Sequence, residues 1–488
     1  MDIRTALANG RLQLNTSPTP ALDARLLLQH LLNVSHSYLI GHDDAELTVE
    51  QARQYANLLA QAAQSTPIPY LIGTAPFMDI DLRVTPDVLI PRPETEQLVE
   101  TAVSWAMDHS ASRIVDVGTG SGCIAISLAR RLPQCEITAV DISAAALAIA
   151  AENGMEFAPD RITFLQSDLL AATDTRFDII AANLPYVTEA EWTQLDDGVK
   201  FHEPSLALIG GEDGFDLIKR LLSQAITRLA ANSLILLEIG WKQGQTAVNL
   251  ARHFFPDADI ELLTDLAGHD RLVTIHNRPL PTVVMAATAA NIKKTAVSLQ
   301  NGRLIAFPTD TVYGVGANPF DENAIARLYA AKERPFSKAI PILLATRNDV
   351  AQVAVNVPPI AHELMAQHWP GALTIIVPRR PDLPANLSPT DSIAVRLPDS
   401  ATARAFIQAA GGAVAATSAN RTGEPPAETA AMAMAVLDGK ITAVLDDGGA
   451  DLTGFGKPVR SAPPSTIIDC TQSPPQILRQ GGVTISNE

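Results

Sequence analysis

Apolar positions follow three different rhythms along this chain. Up to about residue 70 they recur at helical spacing: Leu26, Leu27, Leu28, Leu31 and Leu32 mark one helix, and a second runs from Thr48 to about Gln64. Thr48 followed by Gln51 is a capping-box start for that second helix. Between Pro67 and Asp87 the pattern breaks into short alternating pieces, which predicts a hairpin-like connector. From Arg113 onward, short apolar runs alternate with helical stretches. RIVDVG, EITAVD, RITFLQSD, FDIIAAN, SLILLEIG and DRLVTIHN read as strands, with CIAISLARRL and Ala144–Asn153 as helices between them. Strands that are apolar throughout are buried on both faces, so these elements predict a mostly parallel sheet covered by helices. The proline-rich stretch RPLPTVV (Arg278–Val284) interrupts the pattern. Beyond it come a helix (Asn291–Gln300), the strand RLIAFPT and a second mixed α/β pattern. No period of roughly 20–50 residues repeats, which excludes a solenoid. The expected division is 1–75, 76–280 and 284–488.

Composition narrows the class without naming it. A length of 488 residues with 47% hydrophobic and 18% charged positions is that of a soluble protein of several domains. A net charge of −17 argues against a large general surface for nucleic acid. Cys123, Cys135 and Cys470 lie far apart, which excludes a disulfide framework and a cysteine-type zinc site. No resident metal site is expected. The opening residues MDIRTALANGRLQLNTS lack the build of a signal peptide, and no apolar run approaches the ~18 residues that span a bilayer. The expectation is a cytoplasmic protein with no membrane partner.

The first chemistry sits at strand ends. Gly118, Thr119, Gly120, Ser121 and Gly122 follow a predicted strand and open a helix, where glycines allow a tight turn and free N–H groups face a ligand. Asp141 ends the next strand, suited to both hydroxyls of a ribose, and Asp168 ends the third, toward an adenine. Asn183-Leu184-Pro185-Tyr186 ends the fourth and resembles the (D/N)PPY motif of methyltransferases that alkylate planar nitrogens. Such a nitrogen is a poor nucleophile because its lone pair is delocalised. An asparagine oxygen and a backbone carbonyl that accept its two N–H groups raise its electron density and aim the lone pair. Tyr186 supplies a wall for the flat group. Residues 1–280 as a whole resemble the HemK-type release-factor glutamine methyltransferases, through PIPYLIGTAPF, IPRPETE (Ile90–Glu96), DVGTGSG, Asn183–Tyr186 and DLAGHDRLV (Asp265–Val273). The resemblance implies a Rossmann-like class I domain of seven strands, S-adenosylmethionine as cofactor and a peptide chain release factor as partner. It implies N5-methylation of the glutamine in that factor's GGQ loop, with the Asn183–Tyr186 motif holding that glutamine. It also implies that the N-terminal helices position the substrate, that Asn183, Pro185 and Tyr186 form the catalytic turn, and that Leu169 joins the cofactor residues. Leu184 stands where the family has a proline. Pro91–Glu96 reads as a lid or shaping segment. A DNA amino-methyltransferase is the alternative, and no target-recognition domain or basic groove supports it.

The second chemistry follows the strand RLIAF. Thr309, Asp310, Thr311, Gly314 and Gly316 make a polar turn, and Lys332, Arg334 and Lys338 downstream read either as a phosphate clamp or as a solvated helix end. With HWPGALT, AVRLPD, TSANRTGEPP, PSTIID and LRQGG in this order, residues 284–484 resemble the YrdC-type threonylcarbamoyl-AMP synthases. The resemblance implies a twisted mixed sheet and a reaction of L-threonine, bicarbonate and ATP with Mg2+. It places Thr311, Arg396 and Ser465 on threonine, and Lys332, Arg334, Lys338, Ser418, Asn420 and Arg479 on ATP. tRNA, or proteins that modify it downstream, are the further partners. Ala372 replaces a family proline, and the match is to members without an extra C-terminal domain. The alternative here is a YrdC module that binds RNA without catalysis.

Overall fold

The computed structural model describes residues 1–278, 281–421, 424–448 and 463–485. The expected junction at Leu280, part of TSANRTGEPP (residues 422–423) and the last three residues lie outside that range. The chain forms two compact units, Met1–Leu250 with Ile260–His276, and Ala251–Asp259 with Asn277–Glu488.

In the first unit, helices Ile3–Gln13, Pro20–Leu32, His36–Gly41 and Val49–Ala62 gather around Leu27, Leu28, Tyr55 and Leu59. Both bonds of the Thr48/Gln51 capping box are present. The segment after Pro67 begins with a short helix, Ile68–Ile72, that the apolar alternation did not suggest. Then comes the expected antiparallel hairpin, β1 (Thr74–Phe77) with β2 (Ile80–Arg83).

The sheet that follows has seven strands: β3 (Arg113–Val117), β4 (Glu136–Asp141), β5 (Ile162–Gln166), β6 (Phe177–Ala182), β7 (Leu229–Glu238), β8 (Asp259–Thr264) and β9 (Asp270–Asn277). Their order is β5-β4-β3-β6-β7-β9-β8, and β5, β4, β3, β6 and β7 run parallel. Parallel pairing brings the C-terminal ends of these strands to one edge. Val117 lies opposite both Val140 and Ala182, so the residues that follow them, Gly118, Asp141 and Asn183, emerge side by side.

Among the described residues the second unit is built on one ten-stranded mixed sheet. Its strands are β10 (Val283–Ala286), β11 (Ile305–Pro308), β12 (Tyr313–Ala317), β13 (Ile342–Leu344) and β14 (Leu373–Pro378). They continue with β15 (Ser392–Arg396), β16 (Ala413–Ser418), β17 (Ala443–Asp446), β18 (Thr466–Asp469) and β19 (Gln476–Arg479). The order is β10-β17-β11-β12-β16-β13-β15-β14-β18-β19. One core on this sheet includes Tyr313, Tyr329, Ile342, Trp369 and Val395, and a second includes Phe307, Phe406 and Leu445. Among the described residues no helix is long and apolar enough to cross a membrane.

Candidate active sites

Gly118, Gly120 and Gly122 all have positive φ, at +75°, +55° and +85°. A side chain at Gly122 would meet Ile126 at 2.9 Å and Ala150 at 3.3 Å, whereas one at Gly120 would meet nothing within 4 Å. Gly122 is therefore needed for packing, and Gly120 borders open space. Asp116 is fully buried beneath the loop, where its Oδ2 accepts from the Thr119 hydroxyl at 2.6 Å and from the Ala125 amide. Burial pushes its carboxyl up to about 7. Thr119 and Ser121 are buried with it. Asp141 is braced by the Gly120 and Ser143 amides, both at 2.9 Å, one to each carboxylate oxygen. Each oxygen keeps a lone pair for a ribose hydroxyl, so these residues fit a nucleoside cofactor. Asp168 forms an exposed ion pair with Arg220, and Leu169 beside it is buried at φ +54°.

The Asn183–Tyr186 turn lies against the glycine loop. Leu184 is buried, with its Cδ2 3.1 Å from where a Cβ on Gly118 would sit. The leucine thus fills the space beside the loop in place of the family's proline. Gln243 braces the turn from beyond β7, donating to the Tyr186 carbonyl at 2.9 Å. The Tyr186 ring packs over Gly240, and burial raises its phenol to about 12, so it stays neutral.

Two residues that sequence reasoning passed over hold Asn183. Its Nδ2 donates to the Thr95 hydroxyl at 3.1 Å, and that hydroxyl donates to Glu238 Oε2 at 2.7 Å. Glu238 is 2% exposed, and burial raises its carboxyl to about 7. Thr95 belongs to the IPRPETE segment, which is tied down on two further sides. Arg92 pairs with buried Glu203 at 2.6 Å, and Glu96 accepts from the Met78 amide at 2.7 Å.

In the second unit, residues of the neighbouring strands β15, β14 and β19 and of the segment leading into β18 gather together, and the turn between β11 and β12 reaches them from further across the sheet. Arg396 ends β15, buried, and donates to Asp310 Oδ2 at 2.7 Å, to the Thr311 hydroxyl at 3.3 Å and to the Gly371 carbonyl at 3.0 Å. Ser465 shares a hydrogen bond with Thr374 at 2.9 Å, and Arg479 donates to its hydroxyl at 3.1 Å. Arg479 also lowers the pKa of Arg396, after burial as the main cause, so the two cations share one neighbourhood. Asp310 was not among the expected site residues, yet its second oxygen is buried and unpartnered.

Lys332 is placed differently from an open phosphate clamp. It is 3% exposed and donates to the backbone carbonyls of Ser418 and Asn420. Burial, then Arg334, lowers its ammonium to about 8. It fixes the turn that follows β16, and β12 holds that turn from the other side through Gly314 opposite Ser418. Asn420 donates to the Arg421 and Glu424 carbonyls, and its oxygen is buried without a partner. Arg334 closes the loop before β13 by bonding the Lys338 and Ala339 carbonyls, while the Lys338 side chain is exposed.

Sheet order, glycine loop and the turn after β6 together define the first unit as a methyltransferase of planar nitrogens. Family models agree: a PrmC N-terminal domain matches residues 5–73, and a methyltransferase small domain matches residues 95–197. The chain is 39% identical over 259 residues to the release factor glutamine methyltransferase of Koribacter versatilis, covering 53% of this chain and 91% of that one. It is 36% identical over 266 residues to that of Rhodopirellula baltica, covering 53% and 90%. The chain belongs to the release factor glutamine methyltransferase family, which sets aside the DNA-modifying alternative. Its second half is a fused Sua5/YrdC domain: residues 297–481 match the Sua5, YciO and YrdC family model described as "Telomere recombination". A structure of Pyrococcus abyssi Sua5 complexed with L-threonine is 34% identical, with a TM-score of 0.38 and coverage of 41% of this chain and 57% of that one. The chain thus spans a little over half the length of that Sua5.

Proposed function

We propose that this chain is a bifunctional enzyme serving translation. The first unit methylates N5 of the glutamine in the GGQ loop of peptide chain release factors, using S-adenosylmethionine. The cofactor supplies an electrophilic methyl group. The glycine loop 118–122, Asp141, Asp168 and Leu169 would hold it, and the Asn183–Tyr186 turn would hold the glutamine. Asn183 Oδ1 and the Leu184 carbonyl accept the two amide N–H groups, Pro185 keeps the turn rigid and Tyr186 flanks the flat group. Residues 1–75 position the release factor and residues 76–280 carry the chemistry. The observation that carries this reading is the inward donation of the Asn183 nitrogen, which leaves its oxygen for substrate.

Residues 284–488 make threonylcarbamoyl-AMP and pyrophosphate from L-threonine, bicarbonate and ATP. Arg396, Thr311 and Ser465 take the threonine, with the Arg396 guanidinium matched to its carboxylate. Arg334, Lys338, Ser418, Asn420 and Arg479 take the nucleotide with Mg2+, and Lys332 sets the turn that presents Ser418 and Asn420. The buried site shields the unstable carbamate until it attacks the α-phosphate, so positioning and charge neutralisation dominate. The product then serves tRNA modification.

Incubation with methyl-labelled S-adenosylmethionine and a recombinant release factor tests the first activity. Label should enter the factor, and Asn183→Ala should abolish transfer. Label transfer that ignores this substitution would refute the role of the turn. ATP–pyrophosphate exchange that requires both threonine and bicarbonate tests the second, and Arg396→Ala should abolish that exchange. A full chain without such exchange would favour a module that binds RNA without catalysis.

A further inference from the structure

A side-chain amide can present either its oxygen or its nitrogen, and the two ends differ little in shape. For Asn183 only one end serves. The glutamine amide offers two N–H donors, so an Asn183 turned over would face it donor to donor. A threonine hydroxyl has a single proton, and that of Thr95 goes to Glu238 Oε2. What remains toward Asn183 is a lone pair, which only the Asn183 nitrogen can satisfy. An ionised Glu238 cannot donate, so the chain of bonds then runs in one direction only, from Asn183 through Thr95 to Glu238.

We propose that Thr95 and Glu238 are positioning residues of the methyl transfer, which fix the Asn183 carboxamide with its nitrogen inward and its oxygen toward the substrate amide. This rests on the methyltransferase reading of the first unit. Neither residue touches cofactor or substrate; both act through Asn183. They come from distant parts of the chain, the IPRPETE segment and the last residue of β7. Arg92–Glu203 and Glu96–Met78 anchor the Thr95 side, and Gln243 anchors the turn itself. The groups that face Glu238 are Thr95, Asn183, Arg271 and Glu94, with Tyr186 and Cys123 also within reach of its charge. Arg271 favours the ionised carboxylate, whereas burial and Glu94 oppose it. Ionisation of Glu238 near neutral pH therefore makes the direction of the bonds obligatory. A protonated Glu238 can donate to Thr95, which frees that hydroxyl to bond the Asn183 oxygen and turn the amide over.

The test uses the full chain, methyl-labelled S-adenosylmethionine and a recombinant release factor, with kcat, KM and cofactor affinity measured separately. Thr95→Val keeps shape and removes the hydroxyl, and should lower kcat by about tenfold or more with cofactor affinity unchanged. Thr95→Ser restores the hydroxyl and should return kcat to within about threefold of the parent. Glu238→Gln can donate to Thr95, so it should lower kcat and abolish the rise of kcat with pH through neutrality that is expected of the parent. Should Thr95→Val also lose cofactor affinity, the kcat and pH profile of Glu238→Gln decide. Parental kcat in both Thr95→Val and Glu238→Gln, alongside an inactive Asn183→Ala, would overturn the proposal while leaving the methyltransferase reading intact. A parent chain that transfers no label would refute that reading instead.

Discussion

Single residues in the glycine loop have separable duties, because the space around each differs. Gly122→Ala would force a Cβ into Ile126 at 2.9 Å while φ is +85°. It should lower the melting temperature by several degrees, reflecting roughly 2 kcal/mol of strain and overpacking. Gly120→Ala meets no neighbour, so it should cost about 1 kcal/mol in stability but much more in cofactor affinity, read by isothermal titration. Equal losses of affinity in the two variants would contradict this division. Asp116 gives a prediction with a sign. Burial raises its carboxyl to about 7, so the folded state holds the proton more tightly than the unfolded chain. Its contribution is complete below the unfolded carboxylate range, near pH 4, and is lost as pH rises through about 7. Asp116→Asn removes this term, so the variant should gain stability relative to the parent from pH 5 to 7.5 and hold level above. Denaturant midpoints across that range check it, and a difference independent of pH would refute it.

At the level of elements, the segment before the sheet acts as a brace between distant strands. Arg92→Ala leaves Glu203 buried without its cation, and should cost on the order of 2 kcal/mol in chemical denaturation. Arg92→Lys should recover part of that. Elements with a strong local rhythm could be read directly from the sequence. The apolar runs of β3, β4, β6 and β7 and the capping box at Thr48 match the structure closely. Strand β8 (Asp259–Thr264) was not singled out, because its residues are exposed or only half-buried and the run DIELLT has no clear apolar face. The helix Ile68–Ile72 lies in the stretch whose alternation predicts a hairpin-like connector, and proline is well placed in a first helical turn. Site residues divide in the same way. The glycine loop, Asp141 and Asn183 announce themselves through local motifs at strand ends. Thr95 and Glu238 do not, because 143 positions separate them and only the sheet order brings them together. Lys332 was visible as a cation, but its burial on two backbone carbonyls depends on a turn some 86 residues later.

For the molecule as a whole, the two activities should be independent. Asn183→Ala in the full chain should leave ATP–pyrophosphate exchange unchanged, and Arg396→Ala should leave label transfer to the release factor unchanged. A loss of about fivefold or more in the untouched activity would reveal coupling between the sites. The strand orders of the two sheets also differ in when each can close. The first is complete once β9 (Asp270–Asn277) slots between β7 and β8. In the second, β10 is the first strand made, yet among the described residues it pairs with β17 (Ala443–Asp446) alone, and β14, paired with β15 on one side, waits for β18 (Thr466–Asp469) on the other. In chain order, all strands of the first sheet are therefore made before the second sheet has its pairing partners. A chain cut short between Asn277 and Ala443 would hold every strand of the first sheet and lack the partner of β10 in the second.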